Sequence, residues 1–213
     1  MRRLDDLTLV LVRHGETEGE SSIRYHGRND VKLSRLGRKQ MLAARRELET
    51  RFGEIHFRYV FTTPLSRAFE SAKLIVGADA AMVTIQEFIE VHFGLFEGLT
   101  AEEIRERHPL EFEKWNANRL APSYTYPQGE SRAAFAERVE RGLENTLQMI
   151  DATDNSSDSV RVLIVAHRGV IRAIVRSLTG GEPIVELGSI QIVARDSRWR
   201  PLALDLTAHL DTI

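Results

Sequence analysis

The sequence predicts an α/β fold, a three-layer sandwich in which a mostly parallel central sheet carries helices on both faces. Three observations predict it. Residues 8–12 and 162–166 are continuous apolar, β-rich runs, the pattern of strands buried on both faces. Helical patterns with one apolar stripe lie between the strand patterns, and such alternation builds parallel sheets. No internal repeat, low-complexity segment or linker interrupts the 213 residues, so 1–213 is expected to form one domain.

Each element has its own signal. After the first strand a polar loop runs from Arg13 to about Val31. Residues 36–48 predict a helix with Met41, Ala44 and Leu48 on its buried face. Tyr59, Val60 and Phe61 form a short strand. Thr62-Thr63-Pro64 then turns into a helix with Ala68, Ala72 and Ile75 inward. Thr100 and Glu103 have capping-box spacing, which starts a helix before Ile104. Residues 131–150 give the strongest helical pattern, with Phe135, Val139, Leu143 and either Met149 or Ile150 on one side. A polar loop over 151–159 leads to the strand at 162–166. A helix over about 170–178 follows, closed by Gly180-Gly181. Residues 190–194 and 202–206 are expected to be the last strands. The segment at about 100–130, with Phe112, Trp115, Tyr124 and Tyr126, breaks the alternation and reads either as core or as an insertion covering a site.

Composition narrows the partners. The formal net charge of -2 provides no general attraction to nucleic acid or an acidic membrane, so neither is expected to bind, and an anion site would need a local cluster of basic residues. Arg45-Arg46 and Arg105-Glu106-Arg107 read as solvated helix faces. The absence of cysteine excludes disulfides, thiolate chemistry and cysteine-ligated zinc. The run at residues 7–12 is too short for a signal-peptide core or a membrane span, and the expected location is the cytoplasm.

Two buried-type strands end alike, one in Arg13-His14-Gly15 and the other in His167-Arg168-Gly169. Ligands of open α/β sheets bind outside the carboxyl ends of the strands. A third strand end leads to Arg67 in the first turn of a helix, where the dipole favours anions. One histidine after a strand is more often structural than catalytic. Two such ends and a helix-start arginine point to an anion site suited to a phosphoryl group. Arginine forks match phosphate oxygens, and neutral imidazole is a competent nucleophile near pH 7. Spacing alone names no reaction.

At these residues the chain resembles the histidine phosphatase superfamily, which includes cofactor-dependent phosphoglycerate mutase. Leu11-Val12-Arg13-His14-Gly15-Glu16-Thr17 is similar to its signature. Further matches follow in order at Tyr25-His26-Gly27-Arg28-Asn29-Asp30 with Leu33-Ser34 and Leu36-Gly37, Thr63-Pro64-Leu65-Ser66-Arg67-Ala68, Glu90-Val91-His92-Phe93-Gly94-Leu95-Phe96-Glu97-Gly98-Leu99-Thr100 and Val165-Ala166-His167-Arg168-Gly169-Val170-Ile171-Arg172. Tyr126-Pro127-Gln128-Gly129-Glu130-Ser131 resembles a segment before a long helix.

The resemblance implies that His14 accepts the phosphoryl group and that Arg13, Arg67 and His167 hold its oxygens. It extends phosphate contact to Thr17, Gly27 and Arg168. Glu90 is implied as the group that protonates the leaving alkoxide and then deprotonates water. Such an acid works best when burial raises its pKa, and Phe88, Ile89 and Val91 favour burial. Glu97 is the alternative acid in that motif and reads as a loop or helix partner. No metal and no cofactor is implied.

Three positions depart from the family pattern. Gly19 and Glu20 stand where a Trp-Asn pair is usual, and Arg168 stands where glycine is usual. Either Arg168 neutralises Glu20 beside the phosphate, or Glu20 turns outward and Arg168 offers only its backbone amide. Three functions stay open. The first is a histidine acid-type phosphatase, a phosphomonoesterase acting on small phosphorylated metabolites, with a nucleotide-like or ribazole-type phosphate as one candidate. The second is a phosphoglycerate mutase, and the third a non-catalytic phospho-ligand binder. The compact span between the acidic motif and His167, with only Lys114 and Arg119 as basic residues over 110–130, favours the phosphatase. Among macromolecular partners, a second copy of the chain in a homodimer is the one to expect.

Overall fold

The computed structural model describes residues 7–19, 23–119, 121–153, 159–211 and 213. Its strands are β1 (Leu7–Arg13), β2 (Tyr59–Thr62), β3 (Val83–Thr84), β4 (Val160–Ala166), β5 (Ile190–Arg195) and β6 (Trp199–Leu206). Its α-helices are α1 (Arg35–Phe52), α2 (Ser66–Val76), α3 (Ala101–Arg107), α4 (Pro109–Ala117), α5 (Arg132–Thr153) and α6 (Arg168–Thr179). The six strands form one sheet in the order β3-β2-β4-β1-β5-β6. Neighbours from β3 to β1 are parallel, while β5 runs antiparallel to both β1 and β6. The sheet is therefore mostly parallel.

The continuous apolar runs serve two cores, because successive side chains of a strand face opposite ways. Leu7, Leu9 and Leu11 of β1 join Val162, Ile164 and Ala166 of β4 against α5 and α6. Val10 and Val12 join Leu163 and Val165 against Met41, Ala44 and Leu48 of α1 and Ala68, Ala72 and Ile75 of α2. Helices thus cover both faces. Each fully buried aliphatic side chain contributes about 1.5–3 kcal/mol of transfer free energy.

Local chemistry sets the ends. The Ser34 hydroxyl accepts the Gly37 N–H at 3.0 Å and starts α1. Thr100 and Glu103 form the expected capping box. Gly180, at φ 72, closes α6 in the left-handed conformation that glycine adopts without a Cβ clash. On α5, Ile150 is buried and Met149 exposed.

The structure differs from expectation where the pattern is short or split. α6 begins at Arg168, two residues before its apolar stripe, with His167 as the extended residue ahead of it. β3 is two exposed residues on the sheet edge, too few to show alternation. α4 follows α3 directly, with Pro109 in its first turn, and carries only Trp115 as a buried residue. β6 starts at Trp199 because a tight hairpin pairs Trp199 with Arg195, and Pro201 is tolerated on an edge strand.

The aromatic segment forms a third cluster. Val91, Phe96, Ile104, Trp115 and Tyr126 are buried together, with Tyr25, Phe93, Phe112 and Tyr124 packed around them. Among the described residues, no helix is long and apolar enough to cross a membrane.

Candidate active site

Strand register assembles the site. β1 and β4 pair with Arg13 beside Ala166, so His14 and His167 are the next residues on adjacent parallel strands. The His14 N–H donates to the Ala166 carbonyl at 3.1 Å, and the two imidazoles meet edge to face with centroids 5.1 Å apart. Gly15 allows this turn to lie on α1: a Cβ there would fall 2.3 Å from the Gly37 carbonyl oxygen.

Hydrogen bonds determine both tautomers. His14 Nδ1 lies 2.7 Å from the Gly15 carbonyl, which can only accept, so Nδ1 carries the proton and Nε2 a lone pair. His167 Nε2 lies 2.9 Å from the Thr63 hydroxyl, which already accepts the Leu65 N–H at 3.4 Å. The hydroxyl proton has no acceptor among the described residues other than His167 Nε2, and this assignment leaves Nδ1 as an N–H donor. That Nδ1 and the Nε of Arg13 are buried with no partner among the described residues. Buried donors are seldom left unpaired, and two of them on residues flanking His14 suit an anionic acceptor.

Arg67 is 2% exposed. Its Nη1 and Nη2 donate to the carbonyls of Asn29 and Gly27, each at 2.7 Å, and its Nε donates to His14 Nε2 at 3.3 Å. Two of its five N–H groups remain for a ligand. Asp30 receives the Ser66 N–H and hydroxyl at 2.7 Å, capping α2 from the same loop.

Positive charge is crowded here. Burial, then Arg67 and Arg13, pushes the His14 pKa well below that of free histidine. Burial, Arg67, His14 and Arg13 do the same to His167. Burial and then Arg168 lower Arg13. Both imidazoles are neutral at pH 7, and the site is short of negative charge.

Glu90 is 9% exposed. Its Oε1 accepts its neighbour Val91's N–H at 3.0 Å, and Oε2 accepts the Gly169 N–H at 3.2 Å. A Cβ on Gly169 would fall 2.6 Å from Glu90 Oε1, so glycine in the first turn of α6 makes room for the carboxyl group. Glu97 lies in the same motif but braces loops, accepting the N–H groups of Arg28 at 3.0 Å and Phe93 at 3.2 Å.

A cavity of about 180 Å³ opens over these groups, lined by Arg13, His14, Gly27, Arg67, Glu90 and Arg168 together with residues 23–26 and Phe93. Of the residues expected from sequence, Thr17 and His167 are outside the lining; Thr17 is buried and bridged to Leu33, and His167 is buried behind His14, ring against ring. The expected contact of Arg168 with Glu20 involves a residue outside those described. The described residues of 100–130 do not reach the lining. They stand behind it, Trp115 packing on Tyr25 at 5.8 Å between ring centroids.

Sequence reasoning missed several contributors, among them His26 and Arg138. His26 lines the cavity with Nε2 buried and unpartnered among the described residues; its place beside Gly27 in the motif was the available signal. Arg138 of α5 donates to the carbonyls of Glu87 at 2.6 Å and Ile89 at 2.8 Å and pairs with Glu130 at 2.8 Å, which holds the backbone before Glu90. Nothing in its helical pattern distinguished it from a solvated arginine. Among the described residues, no group of three or more His, Asp or Glu side chains is arranged to hold a metal ion.

The model of the histidine phosphatase superfamily (branch 1) matches residues 9–196. The chain is 27% identical over 211 residues to "Uncharacterized phosphatase PhoE" of Bacillus subtilis (strain 168), covering 95% of this chain and 96% of that one. It is 33% identical over 175 residues to a glucosyl-3-phosphoglycerate phosphatase of Mycolicibacterium vanbaalenii, covering 81% and 74%. The crystal structure of a putative α-ribazole-5'-phosphate phosphatase from Escherichia coli superposes with a TM-score of 0.79 over 94% of this chain and 96% of that one; at 22% identity this likeness concerns the fold. Mycobacterial relatives that are 33% identical over 169 residues are longer, and the chain spans 43% of their length.

Proposed function

The chain belongs to the histidine phosphatase superfamily (branch 1), and from that membership and the geometry around His14 we propose that it is a metal-independent phosphomonoesterase. It hydrolyses small phosphorylated metabolites through a phosphohistidine. The observation that carries this reading is the pair of unpartnered buried polar atoms, Arg13 Nε and His167 Nδ1, on the residues that flank His14 along its own strand and on the adjacent one.

The first step transfers the phosphoryl group. His14 Nε2 forms a bond to phosphorus as the ester P–O bond breaks. Phosphoryl transfer spreads charge over the equatorial oxygens, so fixed cations and N–H donors do much of the work. Arg13 Nε, His167 Nδ1 and the free N–H groups of Arg67 supply them. As His14 becomes a cationic phosphoimidazole, its Nδ1–H stays on the Gly15 carbonyl. The departing alkoxide takes a proton from the Glu90 carboxyl. In the second step Glu90 takes a proton from water, the water oxygen bonds to phosphorus, the P–N bond breaks, and inorganic phosphate leaves with His14 neutral again. The cavity of about 180 Å³ suits a small ester better than a macromolecule.

The test is phosphate release from p-nitrophenyl phosphate and a metabolite panel, in the presence of a chelator, by the wild type and by His14→Ala. Release by the wild type alone is the expected result. Equal release by both would remove His14 from the reaction. No release from any compound would favour the mutase or a silent binder.

A further inference from the structure

The phosphoryl site employs Arg13 and Arg67, and the cavity holds a further cation. Arg168, in the first turn of α6, stands exposed at the rim and lines the cavity. Its Nε donates to the Val185 carbonyl at 3.2 Å, and the same carbonyl accepts Arg13 Nη1 at 3.1 Å. Val185 is buried at φ 57, a left-handed conformation that is a true outlier for a β-branched residue. Asp205 holds it there. The Asp205 carboxylate accepts the Ile184 N–H at 3.0 Å and the Val185 N–H at 3.2 Å, and the Asp205 N–H donates to Gln191 Oε1 at 2.6 Å. Backbone strain of this kind persists only where the surroundings enforce it, and it gathers at ligand clamps. Here it puts one carbonyl oxygen between two guanidinium groups.

Charge matching indicates what Arg168 is for. With Glu90 protonated as the acid of the first step, a bound phosphate dianion would be balanced by Arg13 and Arg67. The other arginine of the rim, Arg24, is paired with Glu103. Arg168 has no ion pair among the described residues, and its hydrogen bond to Val185 uses only Nε. The exposed Glu186 next to Val185 acts on Arg13 more weakly than Arg168, Glu90 or Arg67 does. Among the described residues the Nη fork of Arg168 is therefore open at the rim, and its single positive charge matches one carboxylate better than a second dianionic phosphoryl group.

We propose that Arg168, held by the Val185 carbonyl, recognises a carboxylate on the substrate, so that the preferred substrates are phosphorylated carboxylic acids. This rests on the phosphomonoesterase reading and adds a specificity residue to it.

The experiment compares 3-phosphoglycerate with glycerol 3-phosphate, in which a hydroxymethyl group replaces the carboxylate. Dissociation constants are measured by calorimetry on the His14→Ala protein, which does not turn either compound over. The acid binds tighter by about tenfold or more, as expected for a charge-assisted fork. In His14→Ala/Arg168→Gln that ratio falls to near one, and Arg168→Lys restores part of it. A ratio near one before Arg168 is changed, or a ratio that Arg168→Gln leaves intact, overturns the proposal. Equal weakening of both compounds also overturns it, by placing Arg168 in the phosphoryl site itself. Failure of the phosphomonoesterase reading is visible separately, as absence of p-nitrophenyl phosphate hydrolysis by the wild type.

Discussion

Arg67 donates its Nε–H to the Nε2 lone pair of His14 across 3.3 Å while its other two nitrogens grip the carbonyls of Gly27 and Asn29. One buried guanidinium thus orients the nucleophile, closes the loop over it and supplies charge. Lysine cannot hold three acceptors in a plane. Arg67→Lys is expected to lower kcat/KM for p-nitrophenyl phosphate by about 10²–10³-fold. Unpairing the two carbonyls should also cost about 1–3 kcal/mol in urea unfolding. Activity within a fewfold of wild type would show that charge alone suffices.

The two buried imidazoles make stability depend on pH. Burial is the main cause of their lowered pKa values, followed by Arg67. In the unfolded chain each takes a proton near pH 6.5. Below that pH the unfolded state binds more protons than the folded state, so stability falls as pH falls. The loss is about 1.4 kcal/mol per pH unit for each histidine until its folded pKa is reached. Urea unfolding at pH 7.5 and 5.5 measures it. His14→Ala should show a smaller loss than the wild type over this interval; an identical loss would mean that His14 is protonated in the folded protein.

The contact between Gly169 and Glu90 separates acid catalysis from the rest of the site. A methyl group at position 169 would press within 2.6 Å of Glu90 Oε1 and displace it. An alkyl phosphate needs its leaving oxygen protonated, whereas p-nitrophenolate leaves without help. Gly169→Ala should therefore slow hydrolysis of an alkyl phosphate by about 10²-fold and that of p-nitrophenyl phosphate much less. Equal slowing of both would place Glu90 outside the proton transfer.

Arg138 joins α5 to the backbone that carries Glu90. Burial raises the pKa of its partner Glu130, but Arg138, the His92 N–H and Arg28 outweigh burial and hold it below the ordinary value. A depressed carboxylate pKa stabilises the fold above the unfolded pKa, and that stability is lost as pH falls through the folded value. Arg138→Met leaves Glu130 without this partner and the Glu87 and Ile89 carbonyls without a donor. Denaturant titration at pH 7 should record a loss of about 3 kcal/mol. A loss within about 0.5 kcal/mol would assign the pair to the ordinary exposed kind.

Residue order alone sufficed for the layers and most of the site. Strand runs such as Leu9-Val10-Leu11-Val12 are apolar at every position because both faces are covered, and that pattern is readable without coordinates. His14, Arg67 and His167 were legible because each follows a strand end or opens a helix, and the motifs around them are contiguous. The two-residue β3 and the α4 helix with one buried side chain were not legible, since neither is long enough to show a period. Tertiary structure alone decided which nitrogen of each histidine carries a proton, because that depends on Gly15 and Thr63 carrying their oxygen atoms to the rings. It also brought Val185 and Asp205 to the site, and it removed Thr17 and His167 from the lining. Their effects run through a carbonyl direction and a positive φ, and backbone geometry of that kind leaves no mark in side-chain chemistry.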